Sequence, residues 1–208
     1  MVTCRLCIPG WRERVADNMF DSDPFSKRER ALEDEFFHRV DEQLRENLKK
    51  SMEREESRKA IIAATGIEDE ALLDKLLDAG IRAETLVALT LLPSVFVAWA
   101  EGSVTDAERK AVMKAASERG IGSDELSHQV LQGWLEKRPP LSLWKTWKEY
   151  ASVAGKTVGG STGERLSEEI IKHATWVAEA SGGFFGIGKI SAPEQAILDE
   201  VRAALSGG

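Results

Sequence analysis

Three constellations in this 208-residue sequence have residue types and spacings that could do chemistry. Cys4 and Cys7 form a C-x-x-C pair, half of a tetrahedral zinc site or a redox dithiol. Glu35/His38 and Glu125/His128 are Glu-x-x-His pairs, which place two ligands on one helix face as in di-iron carboxylate bundles. Glu169 and His173 lie one helical turn apart, a spacing that suits an ion pair or a metal chelate.

Each has a plainer structural reading that fits the sequence better. Zinc takes four ligands, and the chain supplies no second cysteine pair and no histidine near the first, so Cys4 and Cys7 read as an incidental terminal pair. A di-iron site needs both Glu-x-x-His pairs to point into a bundle. The apolar stripe of the first helix runs opposite Glu35 and His38, and Leu126, Val130 and Trp134 predict an inward face on the second that omits Glu125 and His128. Glu169 and His173 read as a solvated i,i+4 pair. The triplet Gly155-Lys156-Thr157 matches the end of a phosphate-binding loop, but Tyr150 stands where its first glycine belongs and no strand precedes it. No nucleophile, acid–base pair or metal set can be assembled, so the chain reads as non-enzymatic and without cofactor.

The elements that would position these residues are helical throughout. No segment alternates with β-branched enrichment, and the expected fold is an all-α bundle of about eight helices. Residues 1–25 read as a tail. Ser26 caps a long charged helix over 26–65, whose apolar residues Leu32, Phe36, Val40, Leu44, Leu48 and Met52 recur every four positions with Phe37 beside them. Such a stripe drifts around the helix; a charge-laced solvated face is its simplest reading, and pairing with another chain or lying across the body the alternatives. Residues 66–208 form the body. Gly66 ends the first helix, and Leu72, Leu73, Leu76 and Leu77 give the next one a core face before Gly80. A nearly all-apolar helix over 83–101 belongs at the centre, kinked or split by Pro93. Further helices are predicted at about 105–119, 123–137, 141–154, 164–181 and 192–205, with the Gly155–Gly163 stretch as one separator. Trp134, Trp144, Trp147 and Trp176 fit packing between these helices.

An internal repeat stands out. Val97-Ala98-Trp99-Ala100 followed by Gly102, Val104, Thr105 and Glu108 matches Val177-Ala178-Glu179-Ala180 followed by Gly188, Ile190, Ser191 and Glu194. Glycine permits the turn, the aliphatic residue drops onto the core, and Thr105/Glu108 and Ser191/Glu194 are capping boxes. The spacing also matches the second half of an EF-hand loop. Val97, Trp99, Gly183 and Phe185 would fill its first and third ligand positions and supply no calcium-binding oxygen, so a calcium site is not expected.

On these residues the chain resembles the TerB-like family, named for a tellurite-resistance protein, best over about Leu86 to Ile121 and more weakly over about Ile170 to Leu205. The resemblance implies an all-α fold, an association with stress and defence systems, and partnership with other modules rather than an established enzymatic activity. The chain departs from the family pattern with Glu101 where Asp is usual and no carboxylate at Ser181, so no metal ligands are carried over.

The expected function is therefore a non-enzymatic interaction or accessory module linked to stress response, with another protein as partner. The alternative is a small-molecule or metal-binding domain using the cleft between the repeats. A net charge of −7 argues against nucleic acid. Phe184, Phe185 and Ile187, set among four glycines, either plug the core or form an interaction loop that could touch a protein or a membrane periphery. The apolar run Thr85–Ala100 is too short for a membrane span and no signal peptide is visible, so a cytoplasmic location is expected.

Overall fold

A computed structural model describes residues 24–123, 125–180 and 190–206. Cys4, Cys7 and the loop bearing Phe184, Phe185 and Ile187 lie outside the described residues. The described elements are α1 (Pro24–Thr65), α2 (Glu70–Asp78), a 3-10 turn (Ala83–Thr85), α3 (Leu86–Leu89), α4 (Leu92–Ala98), α5 (Asp106–Glu118), α6 (Leu126–Glu136), α7 (Leu141–Val158), α8 (Gly160–Ala180) and α9 (Ala192–Ser206). No strand occurs among the described residues, and α1–α9 make nine α-helices where about eight are predicted.

The extra helix comes from the central apolar segment. One helix over 83–101 is predicted, yet the chain breaks at Thr90 and Leu91, and the second piece ends at Ala98. Pro93 sits in the first turn of α4, where its missing N–H leaves no helical bond unmade. A second difference lies at the α7–α8 junction, where the predicted glycine separator shrinks to Gly159 alone. Gly155 and Gly163 are absorbed into the two helices at a propensity cost of about 1 kcal/mol each.

The described chain divides into two units between Glu53 and Arg54, inside α1. In the first unit the α1 backbone runs unbroken because no glycine or further proline follows Pro24 within it, and i,i+4 pairs line its surface: Glu35 with Arg39, Glu46 with Lys50, Lys49 with Glu53. In the second unit the last turns of α1 are fastened to α2. Asp74 accepts hydrogen bonds from both Arg54 and Arg58, and these two guanidinium groups, Arg58 first, hold its carboxyl below the usual aspartate range. Asp69 caps α2 through the Leu72 amide at 3.0 Å, as the leucine face of α2 requires for docking.

Two apolar clusters fill the second unit. One joins Ile61, Leu73 and Leu76 to Phe96, Trp144 and Trp147; the other joins Val95, Val97, Val112, Leu131, Val177 and Leu198. Helix α4 belongs to both, with all seven of its residues buried. Phe96 stacks on Trp144 at 4.6 Å between ring centroids, and Trp144 on Trp147 at 4.9 Å, so two of the four predicted core tryptophans are buried. Trp134 and Trp176 are half-buried, and Lys114 lies 4.4 Å above the Trp176 ring. No described helix is long and apolar enough to cross a membrane.

Candidate functional site

Two capped turns open α5 and α9. The Thr105 amide donates to Glu108 Oε2 at 2.7 Å, its hydroxyl donates to the same oxygen at 2.8 Å, and the Glu108 amide donates back to Thr105 Oγ1 at 3.3 Å. The Ser191 amide likewise donates to Glu194 Oε2 at 2.7 Å, while Ser191 Oγ is buried without a hydrogen bond among the described residues. Gly102 takes φ +91° to make the first turn, a conformation costly for other residues. Val104 and Ile190 lean onto the second apolar cluster. Both glutamates are buried, Glu108 2% and Glu194 0% exposed. Burial raises the Glu108 carboxyl above its ordinary value; the Thr105 hydrogen bonds oppose this, and the Glu194 and Glu101 charges add to it. The chemistry of these carboxylates is helix capping, and among the described residues no group of three or more His, Cys, Asp or Glu could hold a metal ion.

His173 departs from its expected solvated pairing with Glu169. It is only 7% exposed, and its Nδ1 accepts a bond from Arg119 Nε at 3.3 Å. That bond places the proton of the neutral ring on Nε2, which lies 3.6 Å from Glu118. Glu169 pairs with Arg119 instead, at 3.6 Å. Burial first, and the Arg119 charge second, lower the His173 pKa from its ordinary value. The cluster braces α8 against the end of α5. Glu35 and His38 are exposed on α1, and Glu125 is exposed just ahead of α6. The predicted inward face of α6 is corrected by one position. Leu126 is 56% exposed, whereas Ser127, Leu131 and Leu135 are the buried residues, with Ser127 Oγ donating to the Glu84 carbonyl. This turn of the helix also half-buries His128.

Open space lies at the α7–α8–α9 corner, and a further groove of about 430 Å³ lies between α2 and α7. A groove of about 670 Å³ runs past Gly155, Gly159, Gly160 and Gly163, with Lys156 and Arg202 on its walls. Lys156 faces this groove from within α7, so the phosphate-loop spacing corresponds to no loop at all. A narrow apolar slot lies inside, bounded by Trp147, Tyr150 and Ile170; burial there raises the Tyr150 phenol above its ordinary value.

Among the described residues of the first unit, a row of large apolar side chains lies open on α1. Leu32, Phe36, Phe37, Leu44, Leu48 and Met52 are 57–63% exposed, and Val40 is half-buried. Single exposed leucines need no explanation, but a row of six large side chains along one helix marks a surface that excludes water only when something covers it. The stripe is legible in the spacing alone; the exposure of its side chains is visible only in the structure.

No family model, curated protein or solved structure matches this chain.

Proposed function

We propose that this protein is a non-enzymatic interaction or accessory module of the TerB-like kind, serving a stress response and docking on another polypeptide chain, of this or a different protein, through the α1 stripe. The observation that carries the reading is the exposure of Leu32, Phe36, Phe37, Leu44, Leu48 and Met52 along one charged helix. The stripe offers apolar contact and the charges around it offer register, the two features by which amphipathic helices recognise protein partners. The finer fold reading, two related helix-loop-helix units, is supported by the matched contacts of Thr105 with Glu108 and Ser191 with Glu194.

Purification of a tagged copy from the native cells tests it, with wild type beside a Leu44→Ser, Leu48→Ser variant. The expected result is a stoichiometric protein partner, either a different protein or untagged copies of this chain, bound to wild type and lost from the variant. A partner retained equally by both, or no partner for either, contradicts the reading.

A further inference from the structure

We infer that the α1 stripe is covered by the same stripe of a second copy of this chain, the two helices running antiparallel. This inference rests on the docking reading above and names the occupant.

The first support is symmetry. Reversing α1 about Glu42 carries Leu32 onto Met52, Phe36 onto Leu48 and Val40 onto Leu44. An antiparallel pair related by a two-fold axis therefore sets every apolar residue of this row against another apolar residue, as an isologous interface requires.

Charge decides the direction. Residues 33–42 carry five acidic side chains (Glu33, Asp34, Glu35, Asp41, Glu42) and one basic one, Arg39, a net of −4 with His38 neutral. Residues 45–52 carry Arg45, Lys49 and Lys50 against Glu46, a net of +2. A parallel in-register pair sets the acidic half on itself, whereas the antiparallel pair sets it beside the basic half. On one flank of the stripe Glu33 then lies two residues from the level of Lys49 and of Glu53 of the second copy, and Asp41 two residues from the level of its Arg45 and of its Asp41.

The area is also sufficient. Six side chains with 57–63% of their surface open offer about 600 Å² per copy, so pairing covers at most about 1,200 Å² in all, the lower bound of the range for stable interfaces. The row from Leu32 to Met52 is about 30 Å long. A solvated helix of this length gains most of its stability from packing its apolar face, which the second copy supplies.

The test is the mass of the purified full-length protein, read by light scattering behind size exclusion from about 1 to about 100 µM. The expected mass at the upper end is twice the 22.9 kDa of one chain, and Leu44→Ser with Leu48→Ser should return it to one chain with helicity retained. Two charge variants then read the direction. Glu33→Lys with Asp41→Lys, and Arg45→Glu with Lys49→Glu, each repel their own copies in the antiparallel arrangement and attract each other. Each alone should dimerise at least tenfold more weakly than wild type, and a one-to-one mixture should recover the dimer. A single-chain mass throughout, a dimer indifferent to the leucine changes, or a mixture that recovers nothing overturns the inference. A single-chain mass together with stripe-dependent capture of a different protein would overturn it while leaving the docking reading intact.

Discussion

The same substitution at two leucines separates a covered side chain from an uncovered one. Leu73, on α2, is 0% exposed within the first apolar cluster, while Leu48, on α1, is 62% exposed. Leu→Ala deletes three carbons, worth about 0.8 kcal/mol each when fully buried, or about 2.4 kcal/mol. At Leu73 the remaining cavity adds to this, and Leu73→Ala should cost about 3–4 kcal/mol. At Leu48 only about two-fifths of that transfer term applies, and alanine recovers a little through its helix propensity, leaving a cost below about 1 kcal/mol. Urea unfolding followed by far-ultraviolet circular dichroism measures both, at the lowest protein concentration that gives a signal. Repeating it at higher concentration should enlarge the Leu48→Ala cost, because mass action then adds whatever the covered stripe contributes. Equal costs for the two variants, unchanged by dilution, would refute the reasoning, since the stripe would then pack within the folded chain.

Other consequences can be measured in the same way. The His173 pKa is lowered on folding, so the neutral ring stabilises the protein above its ordinary value near 6.5 and that stability is lost as pH falls through the lower folded value. His173→Asn should flatten the dependence of stability on pH in that acid window; an unchanged slope would remove His173 as its source. Glu108→Ala and Glu194→Ala each delete the acceptor of a capping amide and should each lower stability by about 0.5–2 kcal/mol in thermal unfolding. Gly66 joins α1 to α2 at φ +70°, with Thr157 Cγ2 at 3.5 Å from where a Cβ would stand. Gly66→Ala should therefore cost about 1–2 kcal/mol, mainly from the left-handed backbone.

What the sequence revealed followed the range of the interactions involved. The leucine face of α2, the cap at Thr105 and the placement of Trp144 and Trp147 depend on spacings within one or two turns, and all are present in the structure. Chain-distant partners decided the rest. His173 was indistinguishable from a solvated helix residue because Arg119, which holds it, lies 54 positions away. The α6 face was misplaced by one residue because Leu126 sits at the helix start, where the periodic pattern of an 11-residue helix cannot by itself choose between Leu126–Val130 and Ser127–Leu131. Glycines at 155 and 163 read as breakers, yet packing carries both helices through them. For the α1 stripe the spacing was plain, but cover is a property of the neighbours, and the six open side chains appear only in three dimensions.

The most direct test of the docking surface is photo-crosslinking in the native cells. A photoreactive residue replaces Leu48 in one strain and Lys110, exposed on α5, in another. Docking through the stripe predicts a discrete crosslinked species at Leu48 and none of comparable yield at Lys110. Crosslinks of equal yield at both positions, or none at Leu48, would contradict it.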